Sequence, residues 1–236
     1  MLLELLVLSI LALTIYTRGV LDLKGTLVAT ILGGVILFLA GPPWFLLLLI
    51  FLFIGYVATK YRYPYKEGLH TAEGNMGKRS ATNALANGLI PTFFAIIWYI
   101  TGGKALSPLI AGYIASIATV TGDTLSSEIG VLSEKTPVLI TSFKKVSPGT
   151  HGGVSYLGEV IGILGTALIG ISAWLLGIAS LAVALSVAVI GGAIGFHFDS
   201  LLGAIFERKG LCSNATVNFL STIAGSLTGL SLALVL

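Results

Sequence analysis

Charge is scarce in this chain: Lys, Arg, Asp and Glu make up 10% of its 236 residues, against about 25% in a typical soluble domain. Hydrophobic residues make up 56%, and a soluble fold of this size has no interior able to hide that much apolar surface. A bilayer is itself an apolar solvent, so the composition points to a membrane protein. Cysteine occurs once, at Cys212, which excludes an internal disulfide and any multi-cysteine zinc site. His70, His151 and His197 are scattered, with no H-E-x-x-H pair, so they read as structural rather than as zinc ligands. No G-x-S-x-G elbow marks a hydrolase. The net charge of +3 is too small for a nucleic-acid partner.

Long apolar runs and 30 glycines are what the chain has instead. The runs are Leu5–Tyr16, Leu27–Ala40, Trp44–Thr59, Ala84–Ile100, Leu106–Val120, Val160–Leu176, Ile178–Phe198 and Val217–Leu236. They predict an all-α fold: a polytopic transmembrane bundle of about eight helices, forming one integral membrane domain over 1–236. The first run carries Glu4 and no basic flank, so it reads as a helix rather than a cleaved signal. Gly41-Pro42-Pro43 and Leu176-Gly177-Ile178 predict tight turns.

Odd-numbered loops between these runs hold Arg18, Lys24, Lys60, Arg62, Lys66, Lys78, Arg79, Lys135, Lys144, Lys145, Arg208 and Lys209, whereas even-numbered loops hold only Lys104. By the positive-inside rule the odd loops are cytoplasmic and both termini face out of the cell membrane. Gly158/Gly162, Gly191/Gly195 and Gly225/Gly229 are small residues four apart, suited to close helix packing. Asp123-Thr124-Leu125 with Ile129 echoes Asp199-Ser200-Leu201 with Ile205, and Asn83/Asn87 echoes Asn214/Asn218. These echoes suggest an internal two-fold repeat.

Carboxylates and amides at membrane helix ends are costly, so function is the first suspicion. In Gly122-Asp123-Thr124-Leu125-Ser126-Ser127-Glu128, helical spacing puts Asp123 with Ser127 on one face and Thr124 with Glu128 on an adjacent one. Such hard oxygen donors suit magnesium, as does Asp199-Ser200 at the equivalent place; a capping Asp and a solvated Glu are the plainer alternative. Lys144-Lys145 followed by Gly149-Thr150-His151-Gly152-Gly153-Val154-Ser155 offers backbone N–H groups and charge to an anion, or is an ordinary loop. Gly77-Lys78-Arg79 is not a P-loop, because Ala72 replaces the first glycine and Arg79 the Ser or Thr. The Lys78-Arg79 pair suits phosphate or the anionic lipid surface, and Lys60, Arg62 and Lys66 suit that surface too.

Taken together, Asn87-Gly88, the 122–130 segment, the 149–155 segment and Asp199-Ser200-Leu201-Leu202-Gly203-Ala204 resemble the "domain of unknown function 92", or transmembrane protein 19, family over nearly the whole chain. That family includes the phytyl-phosphate kinase of vitamin E synthesis, which adds a second phosphate to a prenyl monophosphate from CTP or another nucleotide. The resemblance implies a membrane isoprenoid-phosphate kinase here. On that reading Asp123, Glu128 and Asp199 hold Mg2+. Lys78, Arg79, Lys144 and Lys145 neutralise phosphates, and Gly149, Thr150, Gly152, Gly153 and Ser155 cradle them. Thr124, Ser127, Ser200, Asn83, Asn87, Asn214 and Asn218 add neutral hydrogen bonds. The implied partners are a prenyl monophosphate, a nucleoside triphosphate and membrane lipid, and a homo-oligomer stays open. The same parts would serve a CTP-dependent lipid-phosphate nucleotidyltransferase, and helix-end polar groups also suit a transporter or scramblase of polar lipids. Against transport, Ala84–Ile100 and Val160–Leu176 carry no charge.

Overall fold

A computed structural model describes residues 2–72, 74–103 and 107–235; Lys104, expected in an even loop, lies outside them. The helices are α1 (Leu2–Thr17), α2 (Leu23–Ala40), α3 (Pro42–Lys60), the short α4 (Tyr63–Gly68) and α5 (Gly74–Gly77), α6 (Ala81–Ile100), α7 (Ser107–Gly130), α8 (Tyr156–Leu175), α9 (Leu181–Ser186), α10 (Gly192–Ile205) and α11 (Asn214–Leu232). A π-turn over Val187–Gly191 joins α9 and α10 into one rod, so the described residues form eight long rods. Among the described residues five helices are long and apolar enough to cross a membrane, and α1 is apolar but shorter at 16 residues. Gly41 makes the expected turn, with Pro42 and Pro43 in the first turn of α3, where a missing N–H costs nothing.

The helix α7 runs longer than its apolar run because other helices enclose most of it. It is ringed by α3, α6, α8, α10 and α11, and residues 111–122 are all buried. A helix so enclosed tolerates polar side chains that a lipid-facing one does not. Two of its buried hydroxyls are satisfied within the helix: Thr119 donates to Ala115 O at 2.9 Å and Thr121 to Ile117 O at 2.7 Å. Close approach depends on the glycine pairs. A Cβ at Gly158 of α8 would lie 2.7 Å from Ser126 O of α7, and one at Gly191 would lie 3.0 Å from Gly225 O of α11.

The odd loops gather at one end of the bundle. Leu21 bridges to Arg79, Gly149 packs on Thr71, and His151 Nδ1 lies 3.2 Å from Glu207 Oε1. The opposite end is closed by aromatics: Trp44 packs in tilted contact on Tyr113 at 4.2 Å and on Trp98 at 5.4 Å between centroids, and Tyr113 Oη donates to Trp44 O at 2.6 Å. The internal repeat finds no support in the order of elements. The Asn-bearing helix precedes the Asp-bearing one in α6–α7 but follows it in α10–α11.

Candidate active site

Four of the rods, α2, α6, α8 and α11, begin at the end where the odd loops gather, and each opens on a side-chain cap. Asp22 accepts from Gly25 N at 2.6 Å, Ser80 from Asn83 N at 3.4 Å, Ser155 from Gly158 N at 3.1 Å and Ser213 from Thr216 N at 3.3 Å. Three of these N-termini, those of α6, α8 and α11, line a polar cavity of about 380 Å³. Their dipoles point positive ends toward it, an arrangement that favours bound anions.

The cavity is walled by α7 and α10. Asp123 on α7 and Asp199 on α10 bring their carboxyl groups within hydrogen-bonding reach of one another. From α11, Ser221 Oγ donates to Asp199 Oδ2 at 3.1 Å. The Asn218 amide, with its nitrogen turned toward the acceptors around it, donates to the same oxygen at 3.1 Å and to Asn214 O at 3.0 Å. Carboxylates this close repel unless a proton or a cation lies between them. The Arg79 guanidinium is near enough to act on Asp123, and its Nη2 donates to Thr59 Oγ1 at 3.4 Å. The Arg79 backbone is tied to the α1–α2 loop, accepting from Asp22 N at 3.0 Å and donating to Val20 O at 3.2 Å.

Glu128 differs from its expected role. It is buried, with Oε1 accepting from Thr59 Oγ1 at 2.8 Å and Oε2 from Lys66 Nζ at 2.6 Å. Lys66, read from sequence as a contact to the lipid surface, is fully buried and also donates to Ala58 O at 2.9 Å and Thr59 O at 2.8 Å. Both oxygens of Glu128 are therefore engaged in an ion-pair network that fastens α3, α4 and α7 together. Among the described residues no three His, Cys, Asp or Glu side chains cluster closely enough to hold a metal by themselves. The set Asp123, Glu128 and Asp199 thus reduces to the facing pair. Magnesium commonly takes one or two carboxylates and completes its shell with water and phosphate oxygens, and Asp123 with Asp199 fits that demand.

The Gly149–Gly153 segment curls over the cavity. Gly149 and Gly152 hold φ of +78° and +74°, a left-handed conformation that favours glycine. A Cβ at Gly152 would also lie 2.6 Å from Ser200 O, so the loop rests directly on α10. Ser155 Oγ donates to Gly130 O at 2.9 Å, tying the loop's far end to α7. Arg79, Asn83, Asn87, Thr124, Ser127, Gly149, Thr150, Gly152, Gly153, Ser155, Ser200, Asn214 and Asn218 all line the cavity with Asp123, Glu128 and Asp199. Lys78, Lys144 and Lys145 do not. Lys144 and Lys145 are exposed on a small hairpin, where Val138–Leu139 pairs with Gly153–Val154 and Val138 bridges to Lys145. The Lys78 side chain lies against Gly19 of the α1–α2 loop. Sequence reasoning missed Thr59, Glu207 and Glu159, whose Oε2 lies 2.8 Å from His197 Nε2; no local motif marks them, because their partners are distant in sequence. Among the described residues Arg79 is the sole lysine or arginine lining the cavity.

The profile of the family described as Integral membrane protein DUF92 matches residues 6–226. An uncharacterised membrane protein of Methanocaldococcus jannaschii is 39% identical over 96% of this chain and 91% of its own length. Two Arabidopsis thaliana proteins are also similar. Protein PGR is 32% identical over 87% of this chain and 78% of its own, and Protein VTE6, chloroplastic, is 33% identical over 89% of this chain and 64% of its own. No solved structure shows significant similarity. A match of this extent, on an eight-rod apolar bundle, makes the chain a member of the DUF92 family of integral membrane proteins.

Proposed function

We propose that this protein is a membrane prenyl-phosphate kinase, transferring the γ-phosphoryl group of CTP or another nucleoside triphosphate to a prenyl monophosphate. The observation that carries the proposal is the facing Asp123–Asp199 pair in a polar cavity roofed by a glycine loop and ringed by three helix N-termini. Phosphoryl transfer asks a protein mainly for positioning and charge neutralisation. An oxygen of the prenyl monophosphate attacks the γ-phosphorus, the bond to the β-bridging oxygen breaks, and the nucleoside diphosphate leaves. The acceptor is already anionic, so no strong general base is needed. With Arg79 the one lysine or arginine lining the cavity among the described residues, the polyphosphate charge calls for a divalent ion. Magnesium held by Asp123 and Asp199 would supply charge neutralisation there.

The chain's own residues do the rest on this reading. Arg79 binds phosphate beside Asp123. The helix N-termini and the Gly149–Gly153 loop offer N–H groups to phosphate oxygens, and the Asn83, Asn87, Asn214 and Asn218 amides orient the acceptor. Ser221 and Asn218 hold the Asp199 carboxyl in place. Glu128 is a positioning residue that fixes Lys66 and the end of α3. By the charge asymmetry of the loops the cavity faces the cytoplasm, where nucleotides are. The packed aromatic end opposite the cavity favours this reading over a transport path. Purified protein in nanodiscs, given magnesium, a panel of nucleoside triphosphates and prenyl monophosphates, is expected to form prenyl diphosphate. Absence of diphosphate with every pair would refute the proposal.

A further inference from the structure

We infer that the isoprenoid chain of the substrate lies in a specific apolar cleft enclosed by α1, α2, α3 and α6, and that this cleft admits one slim chain rather than two acyl chains. The inference rests on the prenyl-phosphate reading above and adds where the lipid sits. The cleft has a volume of about 70 Å³ and walls such as Leu8 and Ala12 of α1, Leu32 of α2 and Leu48 of α3. Its polar end is formed by Arg79, Asn83 and Asn87, and these same three residues line the polar cavity. The two spaces therefore meet at one junction, as an amphiphile with a charged head and an apolar tail requires.

Asn87 supplies an independent pointer. It is 7% exposed, and its Oδ1 has no hydrogen-bond partner. A buried acceptor left unpaired is destabilising, because it has given up its water without gaining a partner. The P–OH of a monoprotonated phosphate, or a water bound to that phosphate, would satisfy it at the head-to-tail boundary. The helix α1 is the loosest wall. It packs chiefly on α2, and Leu8 is its single buried residue among those described. A lipid reaching the cleft from the bilayer meets least resistance on that side. The small volume of about 70 Å³ favours a single chain, because an apolar cleft gains from contact on all sides of its occupant.

The test uses wild-type protein in nanodiscs and a C20 prenyl monophosphate with a diazirine at the end of its chain, photolysed without nucleotide and mapped by mass spectrometry. Label is expected on α1, α2 and α3. Ala12→Phe, on the loosely packed helix, should cut it at least tenfold, and Ala29→Phe provides a second block from α2. Unlabelled prenyl monophosphate should compete, whereas dioleoyl phosphatidic acid at equal concentration should not. Label along α8 or α10, label indifferent to both fillings, or equal competition by the diacyl lipid would overturn the inference. Labelling needs no turnover, so the two proposals fail separately. Cleft labelling without any phosphoryl transfer would sink the kinase and keep the cleft. Transfer with labelling elsewhere would do the reverse.

Discussion

Replacing Lys66 by Met tests the ion pair on which the site's frame depends. Lys66 Nζ sits fully buried between Glu128 Oε2 at 2.6 Å and the carbonyls of Ala58 and Thr59 at 2.9 and 2.8 Å. Those carbonyls belong to the last turn of α3, where helix geometry leaves them without intrahelical partners. Lys66→Met would strip all three acceptors of their cation at once. Only the Thr59 hydroxyl, 2.8 Å from Oε1, would remain to the Glu128 carboxylate. Breaking one side of a buried pair costs about 3–5 kcal/mol, chiefly because the surviving charge stays buried. Glu128→Gln should therefore do less harm in the Lys66→Met background than in wild type, with a coupling of about 1–3 kcal/mol. Equilibrium unfolding in mixed micelles, run on the four members of the cycle, measures both quantities. A loss below about 1 kcal/mol, the range of an exposed ion pair, would show Lys66 to be solvated and the network wrong.

Magnesium with CTP should raise the thermal midpoint of wild type by mass action, and Asp123→Asn and Asp199→Asn should each blunt that shift and lower turnover at least about a hundredfold; an undiminished shift in either variant would return that carboxylate to a structural role. Arg79→Ala should raise KM for the nucleotide or lower kcat by at least about tenfold, whereas Lys144→Ala with Lys145→Ala should change neither beyond about threefold, because both lysines are exposed on the hairpin outside the cavity. The reverse ranking in steady-state kinetics would contradict the geometry. In a Cys212→Ser background, cysteines replacing Tyr65 and Ser142 should react with an impermeant maleimide from the cytoplasmic side only, and one replacing Thr101 from the opposite side only. Labelling of all three from one side would overturn the eight-rod alternation.

The bundle was legible in the sequence because lipid-facing segments must be apolar and because basic residues alternate between the two ends. The glycine pairs were legible for a related reason: Gly158 and Gly191 sit where a Cβ would meet a neighbouring backbone oxygen. The helical course of 122–128 was legible from its spacing, but the enclosure of residues 111–122 by five helices was not, since it depends on partners distant in sequence. Nor was the role of Lys66, which sits in a basic cluster with Lys60 and Arg62 while its partner lies 62 residues onward. Lys144 and Lys145 adjoin the glycine loop in sequence, yet the hairpin pairing turns them away from the cavity that the glycines roof. The Asp123 and Asp199 echo did anticipate a meeting of carboxylates, although the order of elements argues against the repeat that suggested it.

The most direct test of the central claim follows two labels through one reaction. Wild type and Asp199→Asn in nanodiscs are given magnesium, a prenyl monophosphate and CTP carrying radiolabel at either the γ- or the α-phosphorus. The account predicts γ-label in a lipid-soluble diphosphate, CDP in solution, no α-label in the lipid fraction, and loss of transfer in the variant. Transfer of α-label to lipid, or γ-transfer equal in both proteins, would contradict it.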